Sequence, residues 1–331
     1  MGTLFSCCQK SYNKKKKKAV TREDKRIIYS FSKDGLKKDT ELVGQDSIDI
    51  IEKELGEGLK YFAVYDGHGS KGKMASNLVK EEIRKLLIKD KEELVKFADR
   101  KSAEAFFKSI YNTVQKKFQK NIDLYELSGS CSISVLINEN NCYVINLGDS
   151  RAVMGAKQGI QKIAYQLSID HKPSREDEKK RIDLHGGLVS MTKNGNSNIQ
   201  RIYSLNEDGP GLAVSRTVGD IIGHSVGVSY EPEVALKEIE SQDKFIVIAS
   251  DGVWDVMNSS EVIGFVFEKE NSAKEKIAEE LVNECRTRWE KINDYKRRVA
   301  ELRLKDNKKQ TFNETNLSID DISCVICFFG N

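Results

Sequence analysis

Residues 61–69 read Tyr-Phe-Ala-Val-Tyr-Asp-Gly-His-Gly. The apolar run Tyr61–Tyr65, aromatic and β-branched, predicts a short buried strand. It ends on a carboxylate, Asp66, with Gly67, His68 and Gly69 behind it. The same construction returns later, where the apolar run Phe245–Ser250 stops at Asp251-Gly252. Asp320 opens the run Ile322–Phe329, Asp149 follows a third run after Gly148, and Asp46 lies in Gly44-Gln45-Asp46-Ser47. Aspartates at strand edges are hard oxygen donors, suited to Mg²⁺ or Mn²⁺ rather than Zn²⁺. Neighbouring glycines allow the backbone to approach a hydrated ion closely. Several such carboxylates in one place would repel unless cations neutralised them. Any single Asp-Gly is also an ordinary turn, and spacing alone does not establish that these five meet.

Working outward, a helix follows residue 69 with Met74, Leu78, Ile83, Leu86 and Leu87 along its apolar face. A second helix carries Phe106, Ile110, Val114 and Phe118 at spacings of four. Ser130–Ile137 alternates serines with Cys131, Ile133, Val135 and Ile137, and the polar stretch Asn138–Asn141 turns it into Cys142–Leu147, a hairpin. Gly148-Asp149-Ser150-Arg151 is a loop, and Ala152–Met154 resumes strand character. Residues 171–211 are polar and read as a loop-rich stretch. A long charged helix follows Asp251-Gly252, with Ile277, Leu281, Cys285, Trp289 and Ile292 on its buried stripe. Hairpin-linked strands with helices before and after predict antiparallel sheets covered by helices, an α+β layered fold.

Of 331 residues, 39% are apolar and 32% charged, enough for a sizeable core beneath a charged surface. No apolar run approaches the roughly 20 residues that span a bilayer. The formal charge of +3 comes from one place. Residues 1–18 hold six lysines and no acid, which leaves 48 basic against 51 acidic residues in the rest. A mildly acidic body argues against a nucleic-acid-binding domain. The seven cysteines are odd in number and unevenly spread, as in a reduced intracellular protein. Cys324 and Cys327 form a CxxC, but they fall on the expected last strand. Residues three apart on a strand point to opposite faces, so core packing is expected there, not zinc.

At Tyr61–Gly69, Ser128–Ser132, Asn146–Ala152, Gly211–Asp220 and Phe245–Val256 the chain resembles the type 2C protein phosphatases of the metal-dependent PPM family. The stretches are Val-Tyr-Asp-Gly-His-Gly, Ser-Gly-Ser-Cys-Ser, Asn-Leu-Gly-Asp-Ser-Arg-Ala, Leu-Ala-Val-Ser-Arg-Thr-Val-Gly-Asp and Ala-Ser-Asp-Gly-Val-Trp-Asp-Val. Asp170-His171-Lys172-Pro173 and Arg181-Ile182 with Gly186-Gly187 also fit, and the blocks stand in family order. The resemblance implies a four-layer α/β/β/α sandwich of two antiparallel sheets flanked by helices, with metals at one end. It implies hydrolysis of phosphoserine and phosphothreonine in protein substrates by a water bridging two Mg²⁺ or Mn²⁺ ions. Asp66, assisted by the Gly67 carbonyl, would bridge both metals. Asp251 and Asp320 would complete one shell, Asp46 would act through water on the other, and Asp149 would join Asp251 at a third, weaker ion. His68 would protonate the leaving alkoxide, whereas His171, His185 and His224 are expected to be loop hydrogen-bonders.

Two positions depart from the family pattern. Its phosphate-gripping arginine is replaced by Glu41, with Lys37 or Lys38 as the expected substitutes, and its usual last Asp-Asn is Asp320-Asp321, with Asp321 the rival of Asp320. No metal carboxylate is lost, so an active enzyme is expected, a catalytically weak or dead binding module being the alternative. Met1-Gly2-Thr3-Leu4-Phe5-Ser6 matches the N-myristoylation pattern, with Cys7 and Cys8 placed for palmitoylation and a basic run at Lys14–Lys18. Residues 1–22 are therefore expected to be a disordered, lipidated tail binding the anionic cytoplasmic face of a membrane. Residues 23–331 would be a monomeric catalytic domain.

Overall fold

Alternation of side chains along the strands sorts the core into three apolar layers. The computed structural model describes residues 26–36, 44–191, 199–204, 209–270, 273–306 and 317–330. The strands are β1 (Ile27–Lys33), β2 (Ser47–Ile51), β3 (Leu59–His68), β4 (Gly129–Asn138), β5 (Asn141–Leu147), β6 (Arg151–Gln158), β7 (Gln161–Gln166), β8 (Gly187–Met191), β9 (Gln200–Ser204), β10 (Pro210–Leu212), β11 (Val218–Gly219), β12 (Glu233–Glu238), β13 (Asp243–Ala249) and β14 (Ile322–Phe328). One antiparallel sheet runs β1-β14-β13-β6-β7; the other runs β12-β5-β4-β3-β2, with β11 added against β4.

Phe62 and Val64 of β3 face Ile246 and Ile248 of β13 and Val325 and Cys327 of β14 in the layer between the sheets. Tyr61, Ala63 and Tyr65 point the other way, against α1 (Gly72–Lys89) and α3 (Arg100–Gln119). Between these helices lies the short α2 (Lys91–Leu94), and α4 (Ile122–Tyr125) follows them. On the far side, Phe245, Val247 and Ile326 pack under α7 (Asp251–Trp254), α8 (Ser259–Glu268) and α9 (Lys274–Asp306). The α+β four-layer sandwich expected from the sequence is the architecture found. Each fully buried Phe or Ile in these layers contributes about 1.5–3 kcal/mol.

Cys324 packs on the helix side of β14 and Cys327 between the sheets, so the CxxC pair does diverge. Three expected helix stripes need correction. In α1 the fully buried residues are Ala75, Val79, Ile83 and Leu87, while Met74 is 49% exposed and Leu78 and Leu86 are only partly covered. The helix is rolled because its start lies against β3: a Cβ on Gly72 would come within 2.8 Å of the Gly67 carbonyl carbon. In α3 it is Phe107, not Phe106, that is fully buried. In α9 the stripe holds at Ile277, Leu281 and Cys285, but Ile292 is 36% exposed.

The region 171–211 is more ordered than a loop. It forms α5 (Glu176–Leu184) and a small sheet of order β10-β9-β8, closed over Ile182, Ile202, Leu212, Val226 and Val228 beside the short α6 (Ile221–Ser225). With so few apolar side chains, its periodicity is too weak to read from sequence. Among the described residues no helix is long and apolar enough to cross a membrane.

Candidate active site: carboxylates at the strand ends

Strand register brings the aspartates together. On the pair β6–β13 Arg151 lies opposite Ala249, so continuing the ladder two residues outward sets Asp149 opposite Asp251. Ser47 pairs with Tyr65, which sets Asp46 beside Asp66. Ala249 also pairs with Cys324, so the turn carrying Asp320 enters β14 next to Asp251. Carboxylate oxygens of Asp66, Asp149 and Asp251 lie within 4.8 Å of one another. Asp46 and Asp149 are buried, Asp66 and Asp251 half-buried, and Asp320 exposed at the rim.

The electrostatics are those of crowded like charges. Burial, then Asp251, Asp46, Asp320 and Asp149, push the Asp66 carboxyl well above the usual carboxylate range. Asp251 is raised by burial and then by Asp320, Asp149 and Asp255. Asp46 is pushed up to about 7, mainly by burial, although its Oδ2 accepts a 2.8 Å hydrogen bond from Ser250 Oγ. Asp320 is raised to about 6 by burial, partly offset by the backbone N–H of Asp321. Among the described residues, Asp149 is the one member of the cluster in an ion pair, with the Lys172 ammonium. A set of oxygen donors held together against mutual repulsion fits hard divalent cations.

The rival acid is otherwise engaged. Asp321 Oδ1 accepts from the Gly35 N–H and Oδ2 from the Gln45 N–H, each at 2.5 Å, which leaves Asp320 facing the cluster. Gly67 is a position of close approach, where a Cβ would meet the carbonyl oxygens of Gly72 at 2.2 Å and Gln45 at 2.7 Å. Trp289 of α9 donates to the Gly252 carbonyl at 2.8 Å and so steadies the Asp251 turn.

His68 closes one side of the cluster. Its Nε2 lies 2.6 Å from Oδ2 of Asp220, a fully buried residue at φ +40°. Register again explains the meeting: Gly129 of β4 pairs with His68 on one side and with Gly219 on the other, one residue before Asp220. Burial alone would lower the His68 pKa, but the charge and hydrogen bond of Asp220, with Asp149 behind, raise it. The other histidines bond to backbone. His171 Nδ1 accepts from the Gly148 N–H at 3.0 Å, His185 Nδ1 lies 2.8 Å from the Arg181 carbonyl, and His224 bridges the carbonyls of Val228 and Gly219 at 2.9 and 2.7 Å.

Sequence reasoning assigned no role to Asp220 or Asp255. Asp255 follows one helical turn after Asp251, and its carboxyl is raised by burial, with Lys172 opposing and Asp149 adding repulsion. Both ended or interrupted a recognised block, the one signal available for them. A second acidic group, Asp177, Glu178 and Glu233, is threaded with Arg175, Arg181 and Arg216 and is therefore an ion-pair hub already neutralised by its own cations. Lys37, Lys38, Glu41, Gly2, Cys7 and Cys8 lie outside the described residues.

A family model, Protein phosphatase 2C, matches residues 31–293. The chain belongs to the protein phosphatase 2C family. A relative from Arabidopsis thaliana, "Probable protein phosphatase 2C 72", is 30% identical over 77% of this chain and 80% of its own length. "Probable protein phosphatase 2C 61" of the same plant is 35% identical over 66% of this chain and 68% of its own. The solved "serine-threonine phosphatase 2C from Toxoplasma gondii" superposes with a TM-score of 0.72 at 23% identity, covering 92% of this chain and 94% of that one. The protein is thus a protein serine/threonine phosphatase of a metal-dependent family, and its acidic cluster is compatible with metal binding.

The raised carboxyls make a stability prediction for this phosphatase. An acid whose pKa is higher folded than unfolded loses its proton first in the unfolded chain, so ionisation favours unfolding. In chelator, stability should be greatest near the unfolded carboxyl value of about 4. It should fall as pH rises through about 6 to 7, where Asp320 and Asp46 ionise. Asp66→Asn should flatten that fall, and Mg²⁺ or Mn²⁺ should restore the wild-type melting temperature at neutral pH. A flat wild-type melting profile in EDTA would contradict this account of the cluster.

Proposed function

We propose that this phosphatase hydrolyses phosphoserine and phosphothreonine at a binuclear Mg²⁺ or Mn²⁺ centre while tethered to the cytoplasmic face of a membrane. The observation that carries the catalytic part is the convergence of Asp66, Asp149 and Asp251 beside the His68–Asp220 pair. Asp66, with the Gly67 carbonyl, would serve both ions. Asp251 and Asp320 would serve one of them, and Asp46 would serve the other through water. Because Lys172 already balances Asp149, a third ion at Asp149 and Asp251 would be held more weakly. When bound, the cations lower the pKa of a coordinated water and offset charge on the phosphoryl oxygens.

The chain's own groups do the rest. Asp220 fixes the His68 ring through Nε2 and favours the imidazolium, leaving Nδ1 to deliver a proton to the departing seryl or threonyl oxygen. Lys37 or Lys38 takes the place of the arginine that grips phosphate elsewhere in the family, with the looser hold of an ammonium. All five carboxylates are present, which favours an active enzyme over a dead binding module. The tail rests on sequence alone: Gly2 for myristate, Cys7 and Cys8 for palmitate, and Lys14–Lys18 for anionic lipid. One myristoyl chain holds only marginally, at about 10⁴ M⁻¹. Palmitate and the lysines, worth about 1 kcal/mol each near the surface, supply the second signal.

The direct test is phosphate release from a phosphothreonine peptide by the purified protein. Release should require added Mg²⁺ or Mn²⁺, stop in EDTA, and fall nearly to background in Asp66→Asn. Full turnover by that variant would remove Asp66 from the site.

The role of His68 shows in the leaving group. A threonine alkoxide needs a proton to depart, whereas p-nitrophenolate does not, and a general acid contributes about 10²–10⁴-fold where protonation is required. His68→Gln should therefore lose far more kcat on the phosphopeptide than on p-nitrophenyl phosphate, at saturating Mn²⁺. Equal losses on the two substrates would place His68 outside proton transfer. In a fractionated eukaryotic cell Gly2→Ala should move the protein from the membrane to the soluble fraction; a variant that pellets like wild type would rule out acylation as the anchor.

A further inference from the structure

The family match stops at residue 293, and α9 leaves the body of the protein there. Asn293 is buried and its Nδ2 donates to the Ser318 carbonyl at 3.3 Å, whereas every side chain from Asp294 to Arg298 is exposed. The helix continues to Asp306, roughly 20 Å further at 1.5 Å per residue. A helix running on into water gains little from propensity alone and is ordinarily stabilised by covering an apolar face.

Such a face exists. Ile292, Tyr295, Val299 and Leu302 recur at spacings of three, four and three, the a/d pattern of a helix–helix seam. Ile292, Tyr295 and Leu302 are 36%, 69% and 61% exposed, and Val299 is half-buried. The charges are sorted around that seam. Lys296 flanks it on one side and Lys291 and Arg298 on the other, and among the described residues no acid pairs with these three. The acids Glu290, Asp294 and Glu301 lie on the opposite side of the helix, where Asp294 accepts from Arg297 at 2.8 Å.

We propose that this segment is a docking face for an acidic amphipathic helix of a partner protein, apolar side chains meeting the seam and carboxylates meeting the flanking cations. Charge decides among the occupants. A second copy would set lysine and arginine against lysine and arginine along both flanks. The chain's own segment 307–316 offers one large apolar residue, Phe312, and a net positive charge, Lys308 and Lys309 against the single acid Glu314. It complements neither the stripe nor its borders. Because the face carries none of the residues assigned to the active site, it can recruit a partner without changing them.

The test uses the full-length protein and a labelled synthetic helix of about three heptads, leucine at a and d and glutamate at e and g, followed by fluorescence anisotropy. Saturable binding is expected. Tyr295→Glu with Leu302→Glu should weaken it at least about tenfold, and so should Lys291→Glu with Lys296→Glu and Arg298→Glu. Turnover of a phosphothreonine peptide should stay unchanged in both variants, showing that the body is folded. Absence of binding, or equal binding of a peptide with lysine at e and g, would overturn the proposal. So would wild-type dimerisation in sedimentation, or binding to phosphatidylserine vesicles, that the Tyr295/Leu302 variant abolishes. Binding that emerges only after Phe312→Ser would assign the face to the chain's own return segment and overturn it as well.

Discussion

Repulsion among crowded carboxylates is the constraint around which this protein is arranged. Asp46, Asp66, Asp149, Asp251 and Asp320 come from separate segments, and antiparallel hydrogen bonding sets them beside one another whether or not their charges favour it. The cost is met by the three apolar layers that hold the strands in register. Within the cluster only partial relief is built in: Ser250 hydrogen-bonds Asp46, and Lys172 balances Asp149. An arrangement with more internal compensation would be more stable alone and would hold cations less tightly. The second acidic group marks the contrast, since Glu178 is surrounded by Arg175, Arg181 and Arg216 and its carboxyl, which burial would raise, is held far below the ordinary range.

What could be read from the sequence followed from the strength of its patterns. The strand ending at Asp66, the hairpin Ser130–Leu147 and the strand ending at Ser250 are long or strongly alternating, and each lies where expected. Cys324 and Cys327 went to opposite layers because a strand has period two. The reading missed where apolar signal was thin or where backbone contact overrode it. The small sheet of β8, β9 and β10 covers only a few aliphatic residues, so its strands look like loop. Helix α1 rolls to bring Ala75 onto the sheet because Gly72 and Gly67 let the backbones close in. Asp220 was invisible as a partner of His68, since 152 residues separate them and the register of β11 on β4 is a property of the fold.

The segment from Val214 to Asp220 joins the two electrostatic centres of the molecule. Ser215 Oγ donates to Glu178 at 2.5 Å, and Arg216 bonds both Glu178 and Glu233. Ser215 N donates to the His171 carbonyl at 2.9 Å, while the His171 ring accepts from the N–H of Gly148, the residue before Asp149. Four residues on from Arg216, Asp220 holds His68. The arginine–glutamate hub under the small sheet is therefore linked through backbone to both His68 and one of the cluster's carboxylates, although it touches neither. The hub's charges are compensated inside the protein, whereas most of those in the aspartate cluster are not. The fold thus sets the uncompensated centre against a compensated one, and the precision of the first depends on the completeness of the second.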